Sequence, residues 1–379
     1  MLSYTDEQRM LFDTARGMAE DEFAADAFTW QGERPVENVE LLMDRGFFGI
    51  NFDPEYGGGG MTELEALLLI EAIGRVCPDT ARTIHTQHFV APHSIHRLGT
   101  HEAKEKYLRP LLEDGEFVCF AVSEPQAGSD VNAMDTSVSE EDGGLVLNGE
   151  KMWVSGGGEA EAAVVWARFP EGLGSVVVDM DAPGVDVFRE DVNMSDHRQA
   201  QIRFDDVEIP EIDVLSRGKR EFVEQVKALN WERISAGAMS NAKALCALDR
   251  SLEYAQHRVQ FDQPIADFQG IEWKLADMAT KIETSRALTH VTTARGLERE
   301  DGVPDRLHSS MVKLQAARMV DDVVDQALQI HGANGYERGH PIEQLYRIGR
   351  RWRIAGGTDE IQKNGIASVL KDDGLDALY

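Results

Sequence analysis

Between about residues 117 and 212 the chain carries five short β-branched or alternating runs, Val118–Val122, Leu145–Asn148, Ala163–Ala167, Ser175–Asp179 and Ile202–Val207, with no helical period between them. Strands that follow one another without crossover helices cannot make a doubly wound parallel sheet, which needs a helix in each connection. Turn-forming pairs, Asp142-Gly143 and Asn148-Gly149, part the runs and predict antiparallel neighbours. The stretch therefore predicts an all-β insert, a central antiparallel barrel or sandwich.

On both sides the apolar period changes from two to three or four. Before the insert, amphipathic stretches run from Asp6 past Arg9 to Arg16 and from Val39 to Phe48, stopping near Gly49. The Gly57–Gly60 run breaks the chain, Thr62 is placed to cap a helix through Leu64–Ile73, and a further segment runs from Lys104 to Leu112. After the insert, Phe222–Tyr254, Gln269–Leu297, Leu307–His331 and Ile361–Leu370 read as helices able to pack as a bundle of four. The expected architecture is a multi-domain α+β protein. It comprises an N-terminal helical domain (1–116), a central β domain (117–218) and a C-terminal four-helix bundle (219–379).

A length of 379 residues with 42% hydrophobic content supports more than one core. No eighteen-residue apolar run is present, so no membrane span is expected. The polar start MLSYTDEQRM has neither the shape of a secretory signal nor the Arg-rich character of a transit segment. The expected location is a bacterial-type cytoplasm, a trimmed organellar form being equally compatible. A net charge of −29 opposes binding to nucleic acid, whose phosphates it would repel. Cys77, Cys119 and Cys246 lie too far apart in sequence for a disulfide framework or a metal knuckle. His85, His88, His93 and His96 cluster, but Pro92 interrupts them and no acidic ligand is interleaved, so packing is expected and no metal.

Three blocks carry chemistry. The first is Phe120-Ala-Val-Ser-Glu-Pro-Gln-Ala-Gly-Ser-Asp130 with Asn148-Gly-Glu-Lys-Met-Trp-Val-Ser155. The second is Arg258-Val-Gln-Phe-Asp-Gln-Pro-Ile265, running on to Phe268-Gln269. The third is Gln329-Ile-His-Gly-Ala-Asn-Gly-Tyr336 with Gly356-Gly-Thr-Asp-Glu-Ile-Gln362. A flavin needs apolar walls, hydrogen-bond donors along one ring edge, and backbone or basic groups for its pyrophosphate. Ser123, Ser129 and Ser155 supply hydroxyls, Trp153 a flat indole, and Arg258 a charge. No GxGxxG follows a strand, so a Rossmann site is not expected.

In kind, order and spacing these blocks resemble the acyl-CoA dehydrogenase family over essentially the whole chain. The resemblance implies FAD as cofactor, an acyl-CoA substrate, an electron-transfer flavoprotein as acceptor, and a homotetramer built as a dimer of dimers. It implies that Phe120, Val122, Ser123, Ser129, Trp153, Val154 and Ser155 line the flavin, Ser129 also approaching the CoA. It implies that Arg258, Gln260, Phe261, Phe268 and Gln269 reach the FAD of a neighbouring subunit. Gln329, Gly332, Ala333 and Gly335 would lie along the pyrophosphate, and Thr358 and Glu360 close to the flavin.

Desaturation of a thioester needs a carboxylate to take the α proton, best when burial raises its pKa. In the best-known branch of the family this glutamate directly precedes the Gly-Thr of the last block; here that position is Gly356. In the isovaleryl and long-chain branches it sits in a bundle helix just before an arginine. Leu229-Asn-Trp-Glu-Arg233 matches that element, making Glu232 the expected base, with the small pair Ala355-Gly356 leaving it room. The bland alternative makes Glu232 a surface partner of Arg233 or Arg250. The resemblance further places Asn230, Arg233 and Gly357 against the substrate. Arg82 falls in a helix that ends near the acyl tail in relatives, and in glutaryl-CoA relatives an Arg there holds a distal carboxylate. A short or branched aliphatic acyl group is the stronger expectation, an acidic or polar one the weaker. Competing activities are a related flavin oxidase or monooxygenase, a desulfinase acting on a sulfinated thioester, and a non-catalytic flavin-binding assembly factor.

Overall fold

The structure is a computed structural model that describes residues 4–141 and 143–378. The chain forms two compact units. One holds the residues up to 34, 63–82 and those from 230 onward, and the other holds 35–62 and 83–229.

Helices open the chain: α1 (Asp6–Met18), α2 (Val36–Asp44), α3 (Glu63–Gly74), α4 (Pro78–Phe89), α5 (Ala91–Leu98) and α6 (His101–Asp114). Helix α1 begins in a reciprocal cap, the Gln8 amide donating to Thr5 Oγ1 and the Thr5 amide to Gln8 Oε1, both at 3.1 Å. Helix α3 is buried all round from Ala66 to Gly74, apolar there except for Glu71. Pro92 does not interrupt a helix but starts one, in the first turn of α5, where its missing N–H costs nothing. His88 is fully buried. Its Nε2 accepts the Gly49 amide at 2.8 Å, and burial pushes its pKa down to about 3.

The second unit is built on one eight-stranded sheet. Its strands are β1 (Val118–Ala121), β2 (Ser137–Glu141), β3 (Gly144–Ser155), β4 (Ala162–Phe169), β5 (Gly172–Asp179), β6 (Val185–Val192), β7 (Arg198–Ile209) and β8 (Val214–Ser216). The order is β6-β7-β3-β2-β4-β5-β8, with β1 paired to β4. All five expected runs are strands. The pairing is antiparallel except where β1 and β2 run parallel to β4. Asn148-Gly149 is not a turn. It lies inside β3, where the register slips between Leu147 and Gly149. Gly149 has φ 146°, and a Cβ there would stand 2.5 Å from Thr136 Oγ1, so only glycine fits beside Thr136, just ahead of β2. Of the other turn pair, Asp142 lies outside the described residues.

Helix α7 (Gly218–His257) is a single span of 40 residues and continues from the second unit into the first. A two-residue hairpin follows, β9 (Val259–Gln260) with β10 (Gln263–Pro264). Then come α8 (Gln269–Leu297), α9 (Arg306–His331), α10 (Ala333–Tyr336), α11 (Pro341–Arg350) and α12 (Asp359–Asp373). In the first unit α8, α11 and α12 all pack on α9. The wholly buried Glu71 of α3 ties this bundle together through Arg286 at 3.1 Å, His290 at 3.2 Å and Asn241 at 3.2 Å. Among the described residues no helix is long and apolar enough to cross a membrane.

Candidate active site

Glu232 lies in the first turn of the part of α7 that belongs to the bundle unit, which begins at Asn230, and it is 8% exposed. Among the described residues no group donates a hydrogen bond to its carboxylate. Arg233, its surface partner in the bland alternative, instead gives Nη1 to Asn230 Oδ1 at 2.6 Å. Asn230 donates in turn to the Pro304 carbonyl at 2.8 Å, and the Trp231 indole to the Gly302 carbonyl at 3.1 Å. These bonds lock the turn that carries Glu232 to the loop before α9. Burial pushes the Glu232 pKa up, and Lys313, Arg233 and Arg351 pull against it without cancelling the rise.

Across from Glu232, Gly356 and Gly357 adopt φ 68° and 88°. A Cβ at Gly356 would stand 2.5 Å from Glu232 Oε1. Lys313, 1% exposed on α9, donates to the Gly357 carbonyl, and Gln362 donates to the carbonyls of Gly356 and Gly357 at 3.2 and 3.0 Å. Burial drops the Lys313 pKa to about 8, with Glu232 as the largest counterweight. Thr358 caps α12 by accepting the Ile361 amide at 3.4 Å, while Glu360 points outward, 3.9 Å from Lys363.

The β unit gathers the first block at one place. Lys151 and Glu124, both essentially unexposed, pair at 2.7 Å. Lys151 Nζ also donates to the Val122 carbonyl at 2.9 Å, and Glu124 accepts the amides of Asp135 and Thr136 at 2.6 and 3.1 Å. The Met152 amide reaches the Ser123 carbonyl at 2.9 Å. Residues 122–124 are thus pinned along β3. There the register slips again between Lys151 and Val154, turning Trp153 out to 53% exposure with φ 61°. Val154 is buried in the sheet core, Phe120 stands edge-on to Trp166 at 5.8 Å, and Ser129 is exposed. An indole presented flat on a strained bulge, beside hydroxyls at 123 and 155, fits the edge and face of a flavin ring.

In the bundle unit a hollow of about 240 Å³ brings together Arg258, Gln260, Gly332 and Ala333, with Tyr254 and His331 stacked at 4.4 Å. Its cation, backbone amides and aromatic floor suit a pyrophosphate. At the hairpin tip Phe261 is 88% exposed and meets Phe268 edge-on at 6.1 Å. Gln269 opens α8 and Gln329 lies on α9, both exposed, and Gly335 is buried in α10. Arg82 on α4 faces Asp79 at 3.6 Å and donates to the carbonyls of Gly32 and Glu33, both at 3.3 Å.

Lys151 entered the sequence reasoning only as a residue of the first block, and two positions escaped it, Lys313 and Lys243. The last two were visible as lysines interrupting apolar helix stripes, Val312-Lys313-Ala316-Val320 and Met239-Ala242-Lys243-Cys246.

Three family models match in succession: the acyl-CoA dehydrogenase N-terminal domain over residues 5–115, the middle domain over 119–207 and the C-terminal domain over 222–371. The chain is 36% identical to the acryloyl-CoA reductase (NADH) of Anaerotignum propionicum, covering 97% of this chain and 96% of the relative. It is 33% identical to a 3-sulfinopropanoyl-CoA desulfinase of Paraburkholderia xenovorans, covering 98% and 97%. The butyryl-CoA dehydrogenase structure from Megasphaera elsdenii superposes with a TM-score of 0.91 at 27% identity, over 98% of this chain and 100% of that one. With all three domain models in order and relatives matched end to end, this chain belongs to the acyl-CoA dehydrogenase family, whose cofactor is FAD.

Proposed function

We propose that this protein is an FAD-dependent acyl-CoA dehydrogenase in which Glu232 removes the α proton of a CoA thioester while a hydride leaves the β carbon. The observation that carries this is the Glu232 carboxylate itself: buried, without a hydrogen-bond donor, and held beside a glycine pair that leaves it free space. Burial raises its pKa and so makes the ionised form a stronger base than a solvated carboxylate. Lys313 fixes the Gly357 carbonyl and limits the rise. The bound flavin supplies the hydride acceptor. On this chain the bulge at Trp153, with Ser123 and Ser155, would hold the ring. Ser129, Asn230 and Arg233 would face the CoA part, and Arg258 with the Gly332 turn would take the pyrophosphate. The exposed Phe261 and Trp273, 88% and 62%, support an oligomer in which the hairpin meets a neighbouring copy. An electron-transfer flavoprotein as acceptor, the tetramer, and three domains at 1–116, 117–218 and 219–379 complete the proposal on the family's pattern.

The test is anaerobic flavin bleaching by a panel of acyl-CoA thioesters. The wild-type protein should bleach, and Glu232→Gln should keep its FAD yet fail to bleach; normal bleaching in the variant would remove Glu232 as the base. Oxygen uptake during turnover in air would favour an oxidase instead. The similarity to an acryloyl-CoA reductase favours a second reading, in which the same residues run the reaction backwards and Glu232 returns the proton.

A further inference from the structure

Helix α9 has no packing need for a lysine at residue 313. The position shares a buried stripe with Val312, Ala316 and Val320, and the stem of Lys313 does not carry its ammonium out to water. Among the described residues its Nζ gives a hydrogen bond to one acceptor, the Gly357 carbonyl, which is neutral. A buried ammonium is costly unless negative charge stands near it. Three carboxylates favour that ammonium, those of Glu232, Asp359 and Glu360, and Arg233 opposes it. Asp359, 2% exposed at the start of α12, is already answered by Arg318 at 3.1 Å and Arg353 at 3.0 Å. Glu360 points outward, toward Lys363. Among the described residues Glu232 has no such partner.

The same pairing emerges from the side of Glu232. Three cations act on its carboxylate: Lys313 from α9 most strongly, then Arg233 on its own helix and Arg351 on the turn Arg351–Arg353. Arg233 is drawn to Asn230. The charges of Glu232 and Lys313 therefore compensate each other, and the Gly356–Gly357 turn lies against both. We propose that Lys313 is a positioning residue for the reaction: its hydrogen bond holds the glycine turn clear of Glu232, and its charge keeps the Glu232 carboxylate ionised. Without that charge, burial would hold the carboxyl protonated closer to neutral pH, and a protonated carboxyl takes no proton. The effect on rate rests on Glu232 as the base; the effect on its ionisation does not.

Two variants of the FAD-loaded protein separate the charge from the hydrogen bond. Lys313→Gln keeps a donor for the Gly357 carbonyl and loses the charge, whereas Lys313→Arg keeps the charge. Infrared titration follows the protonated carboxyl of residue 232, identified as the band missing from Glu232→Gln. In Lys313→Gln its midpoint should rise by about one pH unit or more, and in Lys313→Arg it should stay close to wild type. The acid limb of anaerobic flavin bleaching should move with it. At the wild-type midpoint Lys313→Gln should bleach about fivefold slower, and well above both midpoints no more slowly than wild type. Lys313→Met, read in the same way, serves if Lys313→Gln fails to fold. An unmoved midpoint in the uncharged variant overturns the proposal, and an equal loss of rate at every pH would then mark Lys313 as structural. A midpoint that rises without the bleaching following it supports Lys313 as the holder of the charge and counts against Glu232 as the base.

Discussion

The carboxylate of Glu232 occupies the place where a side chain at residue 356 would have to begin, 2.5 Å from Oε1 to a Cβ built on Gly356. The two positions are therefore mutually exclusive. A larger residue at 356 would evict the Glu232 carboxylate, and with Glu232 in place 356 must be glycine, which its φ of 68° also favours. Lys313 and Gln362 hold the carbonyls of that turn, so the turn cannot simply step back.

Gly356→Ala should for that reason leave FAD bound and slow the reductive step severely. A methyl group at 2.5 Å must displace the carboxylate by about 1 Å, and misplacement on that scale costs on the order of 100-fold in rate. Anaerobic stopped-flow bleaching of the flavin measures it. A rate within a few-fold of wild type would mean that Glu232 does not do the chemistry.

The buried Glu232 also leaves a signature in stability. Its pKa in the folded protein lies above the ordinary 4.5, chiefly through burial. Below that ordinary value the group is protonated whether the chain is folded or not, and it contributes no pH dependence. As the pH rises past it, the unfolded chain ionises the group more readily, and the folded state loses ground. Glu232→Gln should consequently melt at the same temperature as wild type at pH 4 and at a higher one at pH 7. The reductive rate of the wild type should fall on acidification through the same raised pKa. Melting curves that stay parallel across this range would show the carboxylate to be solvated.

The helix–β–helix plan was legible because period-two and period-3.6 patterns alternate in long blocks. It failed locally where geometry overrode residue preference. Asn148-Gly149 has the composition of a hairpin turn, yet β7 on one side of it and β2 on the other turn it into a bulge. Helix α11 went unseen because only Ile342, Leu345 and Ile348 mark its buried face among arginines. Glu232 could be picked out as a glutamate next to an arginine, but its freedom from Arg233 could not. Asn230, two residues earlier, captures that guanidinium, and this depends on the path of the loop at Pro304. Lys243 and Lys313 were equally hard to place, since a lysine in an apolar stripe can reach solvent along its own stem.

The Lys151–Glu124 pair gives the last expectation. Both groups are buried, and between them they hold Val122, Asp135 and Thr136 through backbone bonds. Lys151→Met removes the partner and strands the Glu124 carboxylate, a change that costs about 3–5 kcal/mol. It also frees residues 122–124 from β3 beside the Trp153 bulge, so FAD retention through gel filtration should drop along with the melting temperature. Adding Glu124→Gln to Lys151→Met removes the stranded charge and should recover most of the melting temperature. FAD retention should stay low, because the tie to the Val122 carbonyl is still missing. Recovery of both together would make the pair a matter of stability alone, with no part in shaping the flavin edge.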